Sequence, residues 1–393
     1  MLIDTPIFIL REDTMGKTIR FGVIGCGLMG REFASAAARW MHLDIDLPRP
    51  EIVAACNPTP AKLEWFKKNV PTLKHTCHDY RELLKLDYVD AVYVAVPHSL
   101  HEEIYVATLD AGKHLMGEKP FGMDKAQNQA ILAACERHPE LFVRCTSQFP
   151  YFPAAQLLIN WIREGRFGRI IEVKSGLLHS SDLDLNKPIN WKRTVKMNGE
   201  YGCMGDLGIH TQHIPFRAGW FPKTVSAKLT KLVTKRPDGK GGMADCDTWD
   251  NATLFCDAMD KDGHDFPITF EMKRMLPGNT NNLYLEVYGM DMAAKFTTSD
   301  AGAFHFTTSW GKEQAWSRIN IGYQTMLPAI TSHILEFGYP DSILQMWGAF
   351  MAELEGREVA FGCFNVDETR QSHDLLTAAL ESHATKSTVT IGL

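Results

Sequence analysis

Phe21 to Gly30 reads Phe-Gly-Val-Ile-Gly-Cys-Gly-Leu-Met-Gly and places Gly25, Gly27 and Gly30 in G-x-G-x-x-G spacing. The stretch follows a short apolar run and precedes an Ala-rich segment, which predicts a turn from a buried parallel strand into a helix. The first glycine permits the tight turn, the second lets backbone N–H groups approach a pyrophosphate, and the third lets the helix pack on the strand. A glycine turn of this kind can also be purely structural, so its role depends on the rest of the chain.

Composition limits the class of protein. The chain has 393 residues, 45% hydrophobic and 22% charged, which is typical of a globular protein with more than one core. A net charge of -6 gives no electrostatic attraction for nucleic acid, and no apolar run is long enough to span a bilayer. The N-terminus lacks a basic leader, and the nine cysteines form no C-x-x-C pair. We therefore expect a cytoplasmic protein with neither a nucleic-acid nor a membrane partner.

The order of elements changes once along the chain. Residues 18–148 alternate between apolar strands and helices, which predicts an α/β Rossmann domain with a doubly wound parallel sheet of six strands. From residue 170 onward, strands are separated mainly by turns, and two helices close the chain. This part predicts an α+β domain with a large, mostly antiparallel open sheet. The predicted division is an N-terminal extension at 1–17, a first domain at 18–148 and a second domain at 149–393.

The choice of dinucleotide depends on the end of the second strand. A Rossmann domain often has an acidic residue there, which binds the adenine ribose hydroxyls. This chain has Asn57, followed by Pro58 and Thr59. An amide can bind a ribose hydroxyl but does not repel a 2′-phosphate, so both NAD and NADP remain open. Because no arginine follows directly, we favour NAD.

Polar side chains follow two later strands. Pro97, His98 and His101 come after Ala91–Val96, at the end where open α/β sheets bind ligands, although His101 also suits the simple start of a helix. The next strand leads into Glu118-Lys119-Pro120, in which the proline restricts the backbone of the lysine. A surface lysine beside a turn is the alternative interpretation.

A second group of polar residues begins a helix in the second domain. Asp206 and His210 are four residues apart and share one helix face, with His213 close to it. A carboxylate beside an imidazole is a common acid/base pair, and an N-capping Asp with a core histidine is the structural alternative. Two histidines at this spacing do not make a zinc site, and we predict no metal. The acidic loop Asp245–Asp250 lacks the pattern of an EF-hand, so we interpret it as a solvated turn.

These motifs together resemble the Gfo/Idh/MocA family of NAD(P)-dependent sugar and polyol oxidoreductases. The similarity lies in the glycine loop, in Pro97 to His101, in the segment ending Glu118-Lys119-Pro120, in Asp206-x-Gly208-x-His210 and in Leu285 to Gly289. It covers nearly the whole chain after the extension. The resemblance implies that Lys119, Asp206 and His210 are catalytic, with Asp206 orienting His210 or binding a substrate hydroxyl. It also implies a homodimer or homotetramer that associates through the sheet of the second domain.

The predicted ligand contacts follow from the same motifs. We expect cofactor contacts at Gly25, Gly27, Leu28, Met29, Gly30, Asn57, Pro97, His98, His101, Glu118 and Lys119. We expect substrate contacts at Tyr151, Trp191, Arg193, Tyr201 and His213. Trp191 is suited to stacking on a sugar face, and Lys192 or Arg193 could bind an acidic substituent.

Three functions are compatible with this pattern. The first is a dehydrogenase that transfers a hydride between a sugar, glycoside or cyclitol hydroxyl and the nicotinamide. The second is a glycosidase of the same fold that oxidises its sugar transiently, eliminates the aglycone and returns the hydride. The third is a nucleotide-binding sensor without catalysis, and the presence of all three catalytic residues argues against it.

Overall fold

The computed structural model describes residues 17–308 and 313–392. The predicted N-terminal extension, 1–17, therefore lies outside the described residues except for Lys17. The described chain forms two large sheets, one in the first part of the chain and one in the second. This arrangement confirms the predicted fold class.

The first sheet has six parallel strands in the order β3-β2-β1-β4-β5-β6. The strands are β1 Thr18–Ile24, β2 Arg49–Cys56, β3 His75–Cys77, β4 Ala91–Val94, β5 His114–Gly117 and β6 Val143–Cys145. The intervening helices are α1 Leu28–Ala38, α2 Pro60–Asn69, α3 Tyr80–Leu84, α4 His101–Asp110 and α5 Lys125–Arg137. Every residue of β4 is buried, as expected for a central strand with helices on both faces.

The middle strands of this sheet bring the predicted motifs together. β1, β4 and β5 are neighbours, and their carboxyl ends lead into the glycine loop, the Pro97–His101 segment and Lys119. Backbone hydrogen bonds continue past the strands, from Ala95 N to Ile24 O at 2.8 Å and from Glu118 N to Val94 O at 3.1 Å. The three segments therefore leave the same edge of the sheet, where α/β proteins bind their ligands.

The second sheet has nine strands in the order β16-β15-β14-β13-β7-β12-β11-β8-β17. These are β7 Ile170–Leu178, β8 Thr224–Thr230, β11 Asn251–Met259, β12 Asp265–Lys273, β13 Asn282–Gly289, β14 Ala293–Thr297, β15 Ala303–Thr307, β16 Ser317–Asn320 and β17 Val389–Thr390. Only the β7–β12 pair is parallel within this sheet. A separate hairpin pairs β9 Lys235–Pro237 with β10 Met243–Asp245.

Three helices pack on the second sheet: α6 Pro153–Arg163, α8 Cys203–Arg217 and α10 Val366–Thr385. The same part of the chain also forms α7 Val195–Asn198 and α9 Tyr339–Leu354. β12 alternates buried and more exposed residues along its length, so one of its faces points to the core and the other away from it. α8 lies on the core side and is buried along nearly its whole length. The acid/base motif of the sequence is therefore placed inside the molecule.

α9 belongs to the second part of the chain but completes the core of the first. The Trp347 ring stacks on Phe33 of α1 at 3.8 Å and meets Tyr93 of β4 edge-on at 5.0 Å. Phe21 of β1 lies 5.7 Å from the same ring. A helix of the predicted second domain, 149–393, thus shares a core with the first sheet. The division of the chain into domains at residue 148 stays a prediction.

Candidate active site

The glycine loop is closely packed at two of its three glycines and open at the third. A Cβ on Gly25, whose φ is +103°, would lie 2.2 Å from the Ala95 carbonyl oxygen. A Cβ on Gly30 would lie 2.4 Å from the carbonyl oxygen of Gly25. A Cβ on Gly27 would meet nothing within 4 Å. The loop therefore needs the first and third glycines for its own packing and leaves space beside the second.

That space lies at the start of α1. Gly27 is the N-cap of the helix and supplies no side-chain capping bond. Leu28 is exposed and Met29 is half-buried. Uncapped amides and the positive end of the helix dipole form a site for an anion such as a pyrophosphate. The residues present thus fit a bound dinucleotide.

Asn57 supports the loop from the neighbouring strand. Its Oδ1 accepts a hydrogen bond from Cys26 N at 3.1 Å, and its Nδ2 donates to Thr59 O at 3.4 Å. The side chain is buried. The amide is therefore engaged within the protein, and its predicted contact with the cofactor ribose stays a prediction.

Lys119 meets Asp206 where the two parts of the chain join. Its Nζ donates to Asp206 Oδ1 at 2.7 Å and to the Asp206 carbonyl oxygen at 2.5 Å. The Lys119 side chain is 15% exposed and that of Asp206 is 3% exposed. Two residues that are far apart in sequence and were both predicted to be catalytic thus form one buried ion pair.

Two further cations bind the same carboxylate. Lys192 Nζ lies 2.9 Å from Oδ1 and 3.0 Å from Oδ2 of Asp206. Arg274, which is fully buried, lies 3.2 Å from Oδ2. Sequence reasoning named Lys192 only as a possible substrate contact and missed Arg274. A lone arginine after an alternating strand belongs to no motif, so only the fold could place it here.

The three cations control the ionisation of Asp206. Burial alone would raise the pKa of this carboxyl, but Lys119, Lys192 and Arg274 outweigh burial and hold the pKa well below its usual range. Desolvation lowers the pKa of Lys192, Asp206 opposes that effect, and Lys119 and Arg274 lower the pKa further. The carboxylate is therefore ionised throughout the physiological pH range.

His210 is close to this cluster but does not pair with Asp206. Its Nδ1 has no hydrogen-bond partner, and its ring packs edge-on against Phe149 at 5.0 Å. Burial, followed by the charge of Lys119, lowers the pKa of His210 to about 3, so the ring is neutral at pH 7. The cations bind both carboxylate oxygens of Asp206, and the expected orientation of His210 by Asp206 stays a prediction.

His98 and His101 are buried beside the lysine segment. His101 Nδ1 lies 2.6 Å from Pro120 O, and its Nε2 lies 3.0 Å from Val96 O. His98 Nδ1 lies 3.1 Å from Asn198 O, and its ring meets Trp191 edge-on at 4.7 Å. His101 therefore braces the turn that carries Lys119, whereas His98 contacts Asn198 and Trp191. The contacts of both histidines with a cofactor stay predictions.

Glu118 and Pro97 complete the predicted cofactor set. Glu118 Oε1 accepts a hydrogen bond from Tyr93 OH at 2.7 Å, and its carbonyl accepts one from Tyr105 OH at 2.6 Å. Glu118 is buried and Pro97 is half-buried. Tyr93 thus fixes the side chain of Glu118, and Tyr105 fixes the backbone just before Lys119.

Four of the five predicted substrate residues lie in the interior. Arg193 is fully buried and forms ion pairs with Asp182 and Asp250, so its charge is neutralised inside the protein. Asp250 is itself buried, which corrects our interpretation of its loop as a solvated turn. An acidic ligand cannot reach Arg193 without breaking these pairs, and we remove it from the proposed site.

The other three buried residues of the predicted substrate set are Tyr151, Tyr201 and His213. Tyr151 OH donates to Cys363 Sγ at 3.6 Å, and Tyr201 OH bonds Thr377 Oγ1 at 2.6 Å. His213 packs against Phe361 and Phe364, and neither ring nitrogen has a hydrogen-bond partner. We also remove these three residues, since their polar atoms point into the core. Trp191 alone is half-exposed beside Lys192.

Metal-binding clusters and membrane-spanning helices are both absent from the described part of the chain. Within residues 17–308 and 313–392, no three His, Cys, Asp or Glu side chains are grouped to bind a metal ion. No helix in that same part of the chain combines the length and apolarity needed to cross a membrane.

The glycine loop allows a matched pair of substitutions. We expect Gly25→Ala to destabilise the fold by about 2 kcal/mol or more, because its positive φ and the Ala95 carbonyl oppose a Cβ. We expect Gly27→Ala to fold normally and to bind NADH about tenfold more weakly, because its methyl group fills the space beside the amides. Thermal unfolding and NADH fluorescence titration measure the two effects. Equal NADH affinity for wild type and Gly27→Ala would contradict this assignment.

Buried neutral histidines predict acid sensitivity. Burial lowers the pKa of His179 to about 4 and that of His210 and His373 to about 3. An unfolded histidine titrates near pH 6.5, so below that pH the unfolded state binds protons that the folded state does not. Each group then destabilises the fold by about 1.4 kcal/mol per pH unit until its folded pKa is reached. We expect the free energy of unfolding in urea to be several kcal/mol lower at pH 5 than at pH 7, and equal values would contradict the buried neutral rings.

The fold and the site together define a class of protein. A Rossmann sheet whose glycine loop is open at a helix N-terminus is the arrangement that binds dinucleotides, and here it is combined with a large, mostly antiparallel sheet and a buried cluster of charged side chains. Residues 19–144 match the model of the oxidoreductase family with an NAD-binding Rossmann fold. The match is to the Gfo/Idh/MocA model and confirms, over this part of the chain, the resemblance drawn from the motifs.

Two sugar-active proteins are similar to this chain in sequence over about half of its length. Levoglucosan dehydrogenase of Pseudarthrobacter phenanthrenivorans is 26% identical over 58% of this chain and 57% of that protein. Glycosyl hydrolase family 109 protein 1 of Phocaeicola vulgatus is 28% identical over 55% of this chain and 47% of that protein. The chain thus matches about half the length of these relatives.

The fold likeness is more extensive. A structure of levoglucosan dehydrogenase in complex with NADH and L-sorbose has a TM-score of 0.84, 22% identity, and coverage of 96% of this chain and 99% of that one. At this level of identity the likeness shows the shared fold, and the substrate of this chain has to be inferred separately.

Proposed function

We propose that the protein is an NAD-dependent oxidoreductase that interconverts a secondary hydroxyl and a ketone on a sugar, glycoside or cyclitol. The observation that carries this proposal is the Lys119–Asp206 ion pair, whose lysine follows β5 at the same carboxyl edge of the Rossmann sheet as the open glycine loop after β1. The similarity to levoglucosan dehydrogenase supports a sugar substrate.

The residues of the cluster would act on the proton and on the charge of the substrate oxygen. When bound, the nicotinamide supplies or accepts the hydride. Lys119 would bind the reacting oxygen and transfer its proton, since Asp206 fixes the ammonium through two hydrogen bonds. Lys192 and Arg274 would add positive charge that stabilises an oxyanion. His210, which is neutral at pH 7, would accept a hydrogen bond from a substrate hydroxyl.

We assign the cofactor as NAD. The family model matched by residues 19–144 describes an NAD-binding fold, and no arginine directly follows Asn57 to pair with a 2′-phosphate. Titration of the protein with NADH and NADPH tests this proposal. Tighter binding of NADPH would contradict it.

The activity itself is tested by one assay. The protein is incubated with NAD or NADP and a panel of free sugars, inositols and glycosides, and reduced nicotinamide absorbance is followed together with product NMR. One equivalent of reduced cofactor for each keto product would support the proposal. If no sugar or glycoside is converted with either cofactor, the proposal fails.

A glycosidase with transient oxidation is the second candidate. It is favoured by the similarity to glycosyl hydrolase family 109 proteins. In such a reaction the same lysine and carboxylate would serve, and the cofactor would be regenerated in each cycle. Release of free sugar from a glycoside without net cofactor reduction would support this candidate over the dehydrogenase.

We also propose a cytoplasmic homodimer or homotetramer that associates through the second sheet. Phe255 and Met259 of β11 are 52% and 37% exposed on the face turned away from the buried residues of that strand. Exposed apolar side chains on an open sheet are typical of an interface. Light scattering after gel filtration tests the assembly, and a Phe255→Lys variant should shift it to the monomer. A wild-type monomer at micromolar concentration would contradict the proposal.

A further inference from the structure

The cluster around Asp206 carries more positive than negative charge. Lys119, Lys192 and Arg274 all bind this carboxylate, and no other carboxylate in the described part of the chain forms an ion pair with any of them. The remaining bonds of Arg274 go to uncharged oxygens of Lys192, Asn198 and Gly202. One carboxylate therefore faces three cations.

The histidine rings near Asp206 do not offset the excess of basic side chains over carboxylates. Burial lowers the pKa of His98 well below its usual range and lowers that of His179 to about 4. His210 is neutral for the same reason. Neutral imidazoles add no negative charge, so the three basic side chains of the cluster share the single carboxylate of Asp206 as their ion-pair partner. An oxidised nicotinamide would add a further positive charge.

A neighbouring cluster shows that the excess is specific to this site. Arg193, which follows Lys192 in sequence, is bound by the two carboxylates of Asp182 and Asp250. Both ion pairs are buried. Arg193 thus has two carboxylate partners in direct contact, whereas the three basic side chains at Asp206 share one, and Asp182 acts on Arg274 only at longer range.

Lys192 is the cation that a ligand can reach. Its side chain is 39% exposed, compared with 15% for Lys119 and 1% for Arg274. It follows Trp191, the half-exposed ring suited to a sugar face. A ligand that stacks on Trp191 would therefore place a substituent beside the Lys192 ammonium.

We propose that the substrate is an acidic sugar and that Lys192 binds its carboxylate. Positive charge removed from water is stabilised by an anion, and charge-assisted hydrogen bonds are stronger than neutral ones. Lys119 then remains for the reacting hydroxyl. The inference rests on the proposed oxidoreductase function and specifies its substrate class as a uronate or an aldonate.

The test compares matched substrates and matched lysines. kcat/KM is measured for hexuronates against the corresponding hexoses and for aldonates against alditols. Wild type is expected to prefer the acids about 100-fold, and Lys192→Met to reduce this ratio to near one. Lys192→Arg keeps the charge and should keep most of the preference. Lys187→Met is the control, since Lys187 is equally exposed and pairs with Asp182, outside the cluster.

Binding provides a second measurement. Calorimetric titration of the NADH-bound protein with a hexuronate should give heat for wild type and Lys187→Met but at least tenfold weaker affinity for Lys192→Met. Equal preference for acids and neutral sugars, an unchanged ratio in Lys192→Met, or a stronger preference for sugar phosphates would each overturn the inference. Turnover of neutral sugars alone would overturn it while leaving the proposed oxidoreductase intact, whereas no turnover of any sugar would count against both.

Discussion

Lys119→Met is expected to lower kcat about 1,000-fold, because the reacting oxygen loses the group that transfers its proton. The fold should survive the change. Asp206 keeps Lys192 and Arg274 as partners, so its buried carboxylate stays neutralised. NADH affinity should fall far less than kcat, since the glycine loop is untouched and Lys119 is one of several predicted cofactor contacts. Steady-state kinetics and NADH titration measure the two quantities.

The control for this prediction is Lys125→Met. Lys125 also pairs with a buried carboxylate, Asp374, but it lies on α5 and its side chain is 43% exposed. Its loss should leave kcat within twofold of wild type. A Lys119→Met enzyme whose kcat lies within threefold of wild type would remove the lysine from the proposed mechanism.

Asp206→Asn is expected to lower the free energy of unfolding by about 3 kcal/mol or more. The amide carries no charge, so Arg274 would stay buried with its charge unneutralised, and removal of one partner from a buried ion pair is costly. Urea unfolding followed by circular dichroism at pH 7 measures the change.

A double variant separates charge from packing. In Asp206→Asn with Arg274→Met, the buried arginine charge is also removed, so part of the lost stability should return. If the single variant costs less than 1 kcal/mol, the cluster does not have the electrostatic role described here. If the double variant is as unstable as the sum of the two single variants, the two residues are not coupled.

Much of the fold could be predicted because it depends on local patterns. Gly25, Gly27 and Gly30 mark the turn after β1, and the alternation of apolar strands with helices up to residue 148 specifies a parallel sheet. The position of α9 could not be predicted this way. The apolar face of a helix shows that the helix packs on something but does not identify its partner, and Trp347 packs on the first sheet.

Only the part of the site that lies in local sequence motifs could be predicted. Lys119 and Asp206 belong to motifs that can be recognised in sequence, and the structure brings them into contact. Arg274 carries no motif, and its role arises from the register of β12 against the rest of the second sheet. Tyr201 and His213 are close to the motif in sequence but point into the core, because burial of a helical side chain depends on what packs against it.

The central claim is that a hydride passes between a sugar carbon and the nicotinamide. The most direct measurement uses the sugar with the highest turnover in the substrate panel, deuterated at the carbon that becomes the ketone, and follows the label by NMR. The account predicts one deuterium at C4 of the reduced nicotinamide for each keto product. Deuterium that remains in a released sugar, or that is lost to water, would contradict the dehydrogenase.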